Sequence, residues 1–335
     1  MLTRIYKSGL KSYFNSNKKE FNNTLVIIGE KTLNELKRYL EHSLNKPYTY
    51  LVINQGLITE SLIINYDNYI KENKIDNIIA IGGGKTIDFA KNMILRSLKE
   101  VNFIVCPTTT GSGSEATSFA VLYKDNGSKM SISSEKFIPK QIIFDKNLVL
   151  KGNLKLMAIS SVDAICQCLE SLWSLNKTKE SEELAIKGLE LLIKNYKKYL
   201  SVISSSSEIE MLTGSNYSGR AINISKTTGA HAFSYYLTFF HKIPHGEAVC
   251  ISFENFIEIN FGFIEEINQD KIFQIFNCKN LNQLKQWFRD FKVKYGLLKS
   301  VNDIVNLDFI EYKKSINIER LSNNPAKINF EIFFK

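Results

Sequence analysis

The first half of the chain alternates short apolar runs with longer amphipathic segments. The runs are rich in β-branched and aromatic residues, and most end in Gly, Asn, Pro or Asp, which is typical of buried strands. They are Leu25–Ile28, Tyr50–Ile53, Ile78–Ile81, Phe103–Cys106 and Ile142–Phe144. Helix-length segments separate the first four runs, at Thr32–Ser43, Ser61–Asn73 and Thr86–Ser97. This alternation predicts an α/β domain with a parallel sheet, whose ligand sites lie at the carboxyl ends of its strands.

The second half of the chain changes to helical spacing. Apolar residues recur every three or four positions, and strand signals nearly vanish. The segments with this spacing are Leu154–Ser174, Glu180–Leu200, Glu208–Ile224, Ala248–Phe263 and Leu281–Tyr295. We therefore predict two domains, an α/β domain over residues 1–153 and an all-α domain over residues 154–335.

Composition and charge narrow the class of protein. Hydrophobic residues make up 44% of the 335 residues, as in ordinary globular proteins, and no apolar run reaches the roughly 18 residues of a membrane-spanning helix. The 43 Lys and Arg exceed the 34 Asp and Glu but are spread along the chain, which indicates a solvated basic surface rather than a nucleic-acid site. Five cysteines without a CxxC pair, and an N-terminal stretch without a signal-peptide core, favour a cytoplasmic protein with reduced thiols. We expect a small-molecule partner, and neither nucleic acid nor membrane.

Three glycines follow the run Ile78–Ile81. Gly82, Gly83 and Gly84 let the main chain approach a ligand closely, and the helix that begins after them presents free N–H groups to a phosphate. The alternative is a tight strand–helix turn in which the glycines serve packing alone.

A second polar loop, Pro107–Glu115, follows the next predicted strand. Its hydroxyls and glycines can bond a phosphate, a ribose or an amide. The alternative is a Ser/Thr loop that caps the next helix. Because neighbouring parallel strands end at one edge of the sheet, the two loops together favour ligand binding.

Histidines are concentrated in one short part of the second half. His231, His241 and His245 lie there, while Asp163 and Gln167 are four residues apart on a predicted helix and so share a face. An Asp and two His make a plausible site for a divalent metal with open positions, and the amide oxygen of Gln167 is a weak fourth ligand. The alternative is a separate structural role for each residue, with His241 on the surface.

Four segments in order, GGGKTIDFAK, PTTTGSGSE, DAICQCLES and HAFSYYLTFFHKIPHG, resemble the iron-containing (group III) alcohol dehydrogenases and their dehydroquinate synthase-like relatives. The segment Arg320–Pro325, RLSNNP, is similar to the closing segment of that family. The resemblance covers most of the chain. It implies a dehydroquinate synthase-like fold, with a Rossmann-like domain that binds NAD(P)H and a helical domain that binds metal and substrate. It also implies the activity of an NAD(P)-dependent, metal-containing alcohol dehydrogenase or aldehyde reductase.

The resemblance implies roles for individual residues. The expected cofactor-binding residues are Asn54, Gly82, Gly83, Gly84, Lys85, Asp88, Thr108, Thr109 and Ser112. The expected ligands of the divalent metal, iron or zinc, are Asp163, Gln167, His231 and His245.

Three positions depart from the family pattern. Many members have His where Gln167 stands, and this loss weakens metal binding or shifts it toward zinc, which accepts three protein ligands and a water. Tyr235 stands where many members have a second His implicated in proton relay, so Tyr235 and His241 are the expected catalytic residues. Asn54 stands where NAD-preferring members often carry Asp. Without that carboxylate we expect NADPH to be accepted at least as well as in those members.

The run KTTGAHAFSY, together with Gln167, is similar to the phosphonoacetaldehyde reductases, whose substrate joins an aldehyde to a phosphonate dianion. Cations and hydroxyls suit such a group. The expected substrate-binding residues are Arg220, Lys226, Thr227 and Thr228. The alternative for Arg220 and Lys226 is simple exposure to solvent.

We therefore predict the reduction of phosphonoacetaldehyde to 2-hydroxyethylphosphonate. The alternatives are reduction of another small aldehyde, with or without a phosphate group, a dehydroquinate synthase-like lyase, or a nucleotide-binding scaffold that has lost its activity. A homodimer is implied by the resemblance alone.

Overall fold

The chain folds as two compact units, Met1–Lys151 and Gly152–Lys335, which divide close to the predicted boundary after residue 153. The computed structural model describes residues 3–17, 21–44, 48–53, 58–66, 68–97, 99–124, 129–149, 153–201 and 207–329. Among these residues, none of the helices has both the length and the apolar character needed to cross a bilayer.

The described residues of the first unit form eight strands. They are β1 (Arg4–Tyr6), β2 (Thr24–Gly29), β3 (Thr49–Ile53), β4 (Asn77–Gly82), β5 (Asn102–Pro107), β6 (Phe119–Tyr123), β7 (Lys129–Ser133) and β8 (Gln141–Ile143). Six of them form a parallel sheet in the order β1-β8-β5-β4-β2-β3, while β6 and β7 form a separate antiparallel pair. The five predicted strands are confirmed as β2, β3, β4, β5 and β8. Sequence patterning missed β1 and the β6–β7 pair.

The sheet is buried on both faces. Along β4, Ile78 and Ala80 join one apolar cluster, while Ile79 and Ile81 join another. Side chains of a strand point alternately to opposite faces, so a strand with no polar alternation must lie between two covering layers. This burial fixes β4 in the middle of the sheet and delivers Gly82 to its carboxyl edge.

Helices of the first unit cover the sheet. They are α1 (Leu10–Ser16), α2 (Glu30–Leu44), α3 (Glu60–Ile64), α4 (Tyr69–Glu72) and α5 (Gly84–Arg96). The segment Ser61–Asn73, predicted as one helix, instead forms α3 and α4. Asn65 ends α3 and Asn68 precedes α4. Asn side chains compete with the helix for main-chain hydrogen bonds, which favours a break at such positions.

In the described residues of the second unit, all of the secondary structure is helical. These are α6 (Leu154–Trp173), α7 (Lys179–Tyr199), α8 (Glu208–Ser225), α9 (Gly229–Phe240), α10 (His245–Cys250), α11 (Phe253–Asn260), α12 (Glu266–Phe276), α13 (Leu281–Tyr295), α14 (Phe309–Lys314) and α15 (Ile318–Ser322). The predicted helices match α6, α7, α8 and α13 within a few residues. The segment Ala248–Phe263 is divided between α10, α11 and a short 3-10 turn. The sequence GAHAFSYYLTFF of α9 lacks a polar face, so no amphipathic stripe marks it as a helix.

Candidate metal centre and cofactor loops

Three side chains of the second unit converge on one point. Asp163 lies on α6, His231 in the first turn of α9, and His245 at the start of α10. One candidate ligand atom from each residue lies within 4.8 Å of the other two. Asp163 and His231 are buried and His245 is half-buried. The fold therefore brings together three of the four predicted metal ligands from distant parts of the chain.

The close approach of α10 to α6 depends on Gly246. A Cβ atom at this position would lie 2.8 Å from the Cβ of Asp163 and would collide with the main-chain oxygen of Ile159. Any larger residue would therefore push α10 away from α6. Since His245 precedes Gly246, that shift would also separate His245 from Asp163.

Two atoms at the convergence point have no hydrogen-bond partner among the described residues. Asp163 Oδ1 and His231 Nε2 are both buried and lie 3.4 Å apart. A buried polar atom without a partner costs free energy, and a cation bound between these two would satisfy both. One carboxylate and two imidazoles are donors that suit Fe²⁺ or Zn²⁺. The residues present thus fit a divalent metal.

Glu170 holds the first turn of α9 in place. This fully buried residue lies two turns after Asp163 on α6. Its Oε1 accepts hydrogen bonds from the main-chain N–H groups of Thr228 (3.2 Å), Ala230 (3.0 Å) and His231 (3.3 Å). The positive end of the helix dipole favours a carboxylate there.

The second oxygen of Glu170 orients His231. Glu170 Oε2 contacts Nδ1 of the imidazole in a short hydrogen bond. With Nδ1 engaged by a carboxylate, Nε2 is the atom that His231 presents to a metal. Glu170 is therefore a positioning residue that the sequence predictions missed. The available signal was a carboxylate within a mostly apolar helix, seven residues after Asp163 and on the same face.

The charges at this site shift two pKa values. Burial lowers the pKa of His231, but Glu170 and Asp163 outweigh burial and raise it to about 9. Burial raises the pKa of Asp163, but the neighbouring His231, His245 and Gln167 bring it below its usual value. The raised pKa means that a metal would compete with a proton for His231.

Gln167 lies beside the ligands, but its carbonyl oxygen is engaged elsewhere. Its Oε1 accepts a hydrogen bond of 2.7 Å from the hydroxyl of Ser218 on α8. Its side chain also lies close enough to Asp163 to help lower the pKa of that carboxyl. Because this oxygen is already engaged by Ser218, the role of Gln167 as a weak fourth ligand stays a prediction.

Of the two predicted catalytic residues, only Tyr235 lies close to the metal ligands. The Tyr235 ring stacks beside the His245 ring, with centroids 6.2 Å apart. His241 follows the last residue of α9, about 15 Å along the helix from His231 at 1.5 Å per residue. Its ring packs on Tyr236 instead. The geometry therefore does not place His241 at the site.

The predicted substrate residues are separated by the fold. The Thr228 hydroxyl donates to Glu170 (2.8 Å) and accepts from Trp173 Nε1 (2.9 Å), so it is committed to holding α9. Arg220 is exposed, and its guanidinium lies over the Tyr217 ring. This position agrees with the alternative prediction, in which Arg220 faces solvent. Thr227 is buried.

Lys226 has an unusual main-chain conformation. It follows the last residue of α8 with φ 60° and ψ 172°, a region essentially restricted to glycine. Its side chain is half-buried, and Nζ donates a 3.0 Å hydrogen bond to the main-chain oxygen of Asn223. Lysine in this conformation has a strained backbone, which costs stability.

The closing segment of the sequence anchors the loop before α9. Asn323 Nδ2 donates to the main-chain oxygens of Ser225 (2.8 Å) and Thr227 (3.0 Å). Asn324 Oδ1 accepts from the Gly229 N–H at 3.3 Å. The RLSNNP motif thus has a structural role, because it fixes the chain just before His231.

In the first unit, the two predicted cofactor loops lie together at the carboxyl edge of the sheet. Gly82 pairs with Pro107 at the ends of β4 and β5. A Cβ on Gly83 would lie 3.0 Å from Thr109 Oγ1, and one on Gly84 would lie 3.0 Å from the Ser112 side chain. Because these residues are glycines, the two loops can touch. The N-terminus of α5 lies beside them, with main-chain N–H groups suited to a phosphate.

Buried Lys91 ties the second loop to α5. Its Nζ donates to the main-chain oxygens of Ser114 (2.6 Å), Thr117 (2.8 Å) and Phe119 (2.9 Å). Burial lowers its pKa to about 8, against the opposing charges of Asp88 and Glu115. Lys91, which the sequence predictions passed over, is a positioning residue for this loop.

Asp88 has a similar structural role. Its two carboxylate oxygens accept hydrogen bonds from the Ser114 hydroxyl (2.5 Å) and the Val121 N–H (3.1 Å). The sequence predicted that Asp88 binds the cofactor. In the structure, its carboxylate instead shapes the loop, because both oxygens accept these hydrogen bonds. Lys85 is exposed at the start of α5.

Thr108 is buried, and its hydroxyl finds no hydrogen-bond partner among the described residues. An unsatisfied buried hydroxyl at this edge is compatible with a polar ligand. Asn54, the residue on which the expected NADPH acceptance depends, lies outside the described residues.

Two family models match the chain. The iron-containing alcohol dehydrogenase model matches residues 6–146, and the C-terminal model of the Fe-containing alcohol dehydrogenase family matches residues 157–307. Among curated proteins, the chain is 26% identical to a 4-hydroxybutyrate dehydrogenase of Clostridium kluyveri, covering 64% of each chain. It is 24% identical to a phosphonoacetaldehyde reductase of Streptomyces viridochromogenes, covering 63% of this chain and 60% of that one. The matches thus span less than two thirds of these relatives.

A solved structure shows the same fold over nearly the whole length. The NAD⁺ complex of a sulfoacetaldehyde reductase from Bifidobacterium kashiwanohense matches with a TM-score of 0.85 and 23% identity, covering 99% of this chain and 95% of that one. An iron-containing alcohol dehydrogenase from Corynebacterium glutamicum matches with a TM-score of 0.83 and 17% identity, covering 98% and 92%. The predicted α/β domain followed by a helical domain is confirmed. With both halves matched in order, the chain belongs to the iron-containing alcohol dehydrogenase family.

Proposed function

We propose that the protein is a metal-dependent, NAD(P)H-linked aldehyde reductase that interconverts a small aldehyde and its alcohol. The observation that carries this proposal is the convergence of Asp163, His231 and His245, with two buried donor atoms left without partners. A divalent ion bound between these donors would satisfy both atoms at once. Family membership supplies the reaction class.

We assign a separate role in the reaction to each group of residues. Asp163, His231 and His245 would hold the divalent ion, and Glu170 and Gln167 would keep two of these ligands in position. When bound, the metal supplies Lewis-acid polarisation of the carbonyl oxygen, and NAD(P)H supplies the hydride. The Tyr235 hydroxyl is the proposed proton donor to the developing alkoxide. Burial raises its pKa, although Arg320 opposes that shift, so the hydroxyl keeps its proton at neutral pH.

For the substrate, we propose phosphonoacetaldehyde, which would be reduced to 2-hydroxyethylphosphonate. The support is the resemblance of the KTTGAHAFSY segment and the match to a phosphonoacetaldehyde reductase. Relatives named for 4-hydroxybutyrate and sulfoacetaldehyde share one feature with it, a short chain that ends in an anion. The alternative substrate is therefore another small anionic aldehyde. A cytoplasmic location and a homodimer stay predictions.

The test is a substrate panel with the purified, metal-loaded protein. Phosphonoacetaldehyde, sulfoacetaldehyde, 4-oxobutanoate, propanal and butanal are each offered with NADH and with NADPH, and the nicotinamide absorbance is followed. We expect steady cofactor oxidation, fastest with an anionic aldehyde, and use of NADPH because Asn54 lacks a carboxylate. A strong preference for NADH would contradict the cofactor expectation.

Two other outcomes distinguish the rival functions. A lyase that uses NAD only transiently would turn over a sugar phosphate without a net change in absorbance. A scaffold would contain no stoichiometric metal and oxidise no cofactor. Either result would replace the reductase proposal.

A further inference from the structure

A buried hydroxyl lies between the two histidines of the candidate metal centre. Ser234 is on α9, one helical turn after His231, and its side chain is fully buried. Residues three apart on a helix share a face, so Ser234 lies on the side of α9 that carries the His231 imidazole. The hydroxyl contacts one atom of His231 and one atom of His245.

The first contact uses the only proton of the Ser234 hydroxyl. Ser234 Oγ donates a hydrogen bond of 2.8 Å to the main-chain oxygen of His231, which can only accept. A serine hydroxyl has one proton and two lone pairs. Toward any second partner, Ser234 Oγ must therefore act as the acceptor.

The second partner is Nδ1 of His245, which lies 3.4 Å from Ser234 Oγ. Because the serine proton is already donated to His231, this hydrogen bond requires a proton on Nδ1. A neutral imidazole carries one proton, so a proton on Nδ1 leaves the lone pair on Nε2. The contact therefore favours the tautomer in which His245 presents Nε2 to a metal.

The two histidines are thus oriented in the same way by different groups. Glu170 contacts Nδ1 of His231, and Ser234 contacts Nδ1 of His245. Metal-ligating histidines generally donate their second ring N–H to a partner of this kind. The Glu170 contact is short and charged, whereas a neutral hydroxyl at 3.4 Å is at the long end of hydrogen bonding. His245 is therefore the more weakly held of the two imidazoles.

The alternative role for Ser234 is purely local. Serine hydroxyls inside helices often donate to a main-chain oxygen of the preceding turn without any further function. Ser161 on α6 is an example in this chain, since it is fully buried and donates to the Met157 oxygen at 2.9 Å. Within the described ranges, the Ser161 hydroxyl makes no contact with a histidine. Ser161 therefore provides a matched control.

We infer that Ser234 is a positioning residue that holds His245 in the orientation for metal binding by accepting a hydrogen bond from Nδ1. The inference rests on the proposed metal-dependent function and adds a residue that the sequence predictions did not select. Ser234 acts through His245 and is not itself a ligand. Helix α9 then supplies both the ligand His231 and the group that orients the ligand of α10.

The first test compares Ser234→Ala with Ser161→Ala. Each change removes one buried hydroxyl and its hydrogen bond to the preceding turn, and alanine favours the helix, so both variants should fold with similar Tm values. Competition with a chromophoric chelator measures the affinity for Zn²⁺. We expect the affinity to fall about tenfold in Ser234→Ala and to stay at the wild-type value in Ser161→Ala.

A second readout does not depend on affinity or turnover. Zn²⁺ has a filled d shell, so the zinc-loaded protein suits NMR with ¹⁵N-labelled histidine. The Nδ1 proton of His245 should exchange slowly with water in the wild type and in Ser161→Ala. In Ser234→Ala, which lacks the acceptor, this proton should exchange rapidly. A serine with a local role alone would not change this exchange.

The outcomes separate this inference from the proposed function. Equal zinc affinities in Ser234→Ala and Ser161→Ala, with slow exchange of the Nδ1 proton in both, would overturn the role of Ser234. If the wild type still binds one zinc ion in that case, the metal centre stands. A wild type that binds no zinc would instead reject the metal-dependent function on which the inference rests.

Discussion

Glu170 contacts Nδ1 of His231 with one carboxylate oxygen and caps the helix that carries His231 with the other. One buried side chain therefore fixes both the position of the α9 helix and the rotation of its imidazole. The tautomer follows from this contact, because a proton on Nδ1 leaves the lone pair on Nε2.

Glu170→Gln should weaken metal binding. The amide retains one acceptor oxygen, so it cannot serve both the helix N-terminus and Nδ1 of His231. We expect metal affinity to fall about 10–100-fold and the free energy of unfolding to fall by about 1–3 kcal/mol. A competition titration with a chromophoric chelator measures the affinity. Glu258→Gln, at an exposed pair with Lys285, is the control; equal affinities in the two variants would refute the positioning role.

The metal-free protein should lose stability as the pH rises. The pKa of His231 is raised from 6.5 to about 9, so the folded state holds its proton more tightly than the unfolded state. That contribution is complete below pH 6.5 and is lost between pH 6.5 and about 9. Thermal melts of the metal-free protein across this range should show a falling Tm.

Metal affinity should change with pH in the opposite direction. The metal must displace the proton of His231, so the apparent affinity should rise by up to about tenfold per pH unit below pH 9. Chelator competition at several pH values measures this dependence. An affinity that does not change with pH would show that His231 is already unprotonated.

Gln167→Ala should retain the metal with reduced affinity. Gln167 lies beside Asp163 while its own oxygen accepts from Ser218, so its loss should leave the three converging ligands present but less well ordered. We expect one ion per chain and an affinity lower by about tenfold. Asp163→Ala is the comparison and should lose stoichiometric metal. If Gln167→Ala loses metal as completely as Asp163→Ala, Gln167 is a ligand.

Lys91→Met should impair use of the cofactor. The change leaves the main-chain oxygens of Ser114, Thr117 and Phe119 without their buried donor. We expect a loss of unfolding free energy of at least about 1–3 kcal/mol and a rise in the KM for NAD(P)H of roughly tenfold. Lys99→Met, at an exposed pair with Asp76, is the control. A normal KM in a folded Lys91→Met protein would show that the loop does not depend on this lysine.

The sequence predicted those features that depend on local pattern. The apolar run Ile78–Ile81 and the glycines after it mark a buried strand and its turn, because β-branched runs and glycine act within a few residues. The three-residue β1 was missed, since Arg4–Tyr6 carries little apolar pattern and is defined by pairing with β8.

Roles that depend on long-range contacts could not be derived from pattern. Glu170 and Ser234 resemble an ordinary helical charge and an ordinary helical hydroxyl until the fold places them beside the two histidines. His241 shows the converse, because sequence proximity to His245 suggested a shared site that the length of α9 rules out. The metal ligands could be predicted from the sequence, because they lie in the family motifs and because packing alone does not require Asp or His.

Metal content is the measurement that tests the central claim most directly. Wild-type protein and His245→Ala are purified in parallel, loaded with Fe²⁺ without oxygen or with Zn²⁺, freed of excess ion and analysed for elements. We expect one tightly bound ion per chain in the wild type and little in His245→Ala, which retains only two of the three converging ligands. A wild type that retains no ion, or a His245→Ala protein that retains it equally well, would contradict the account.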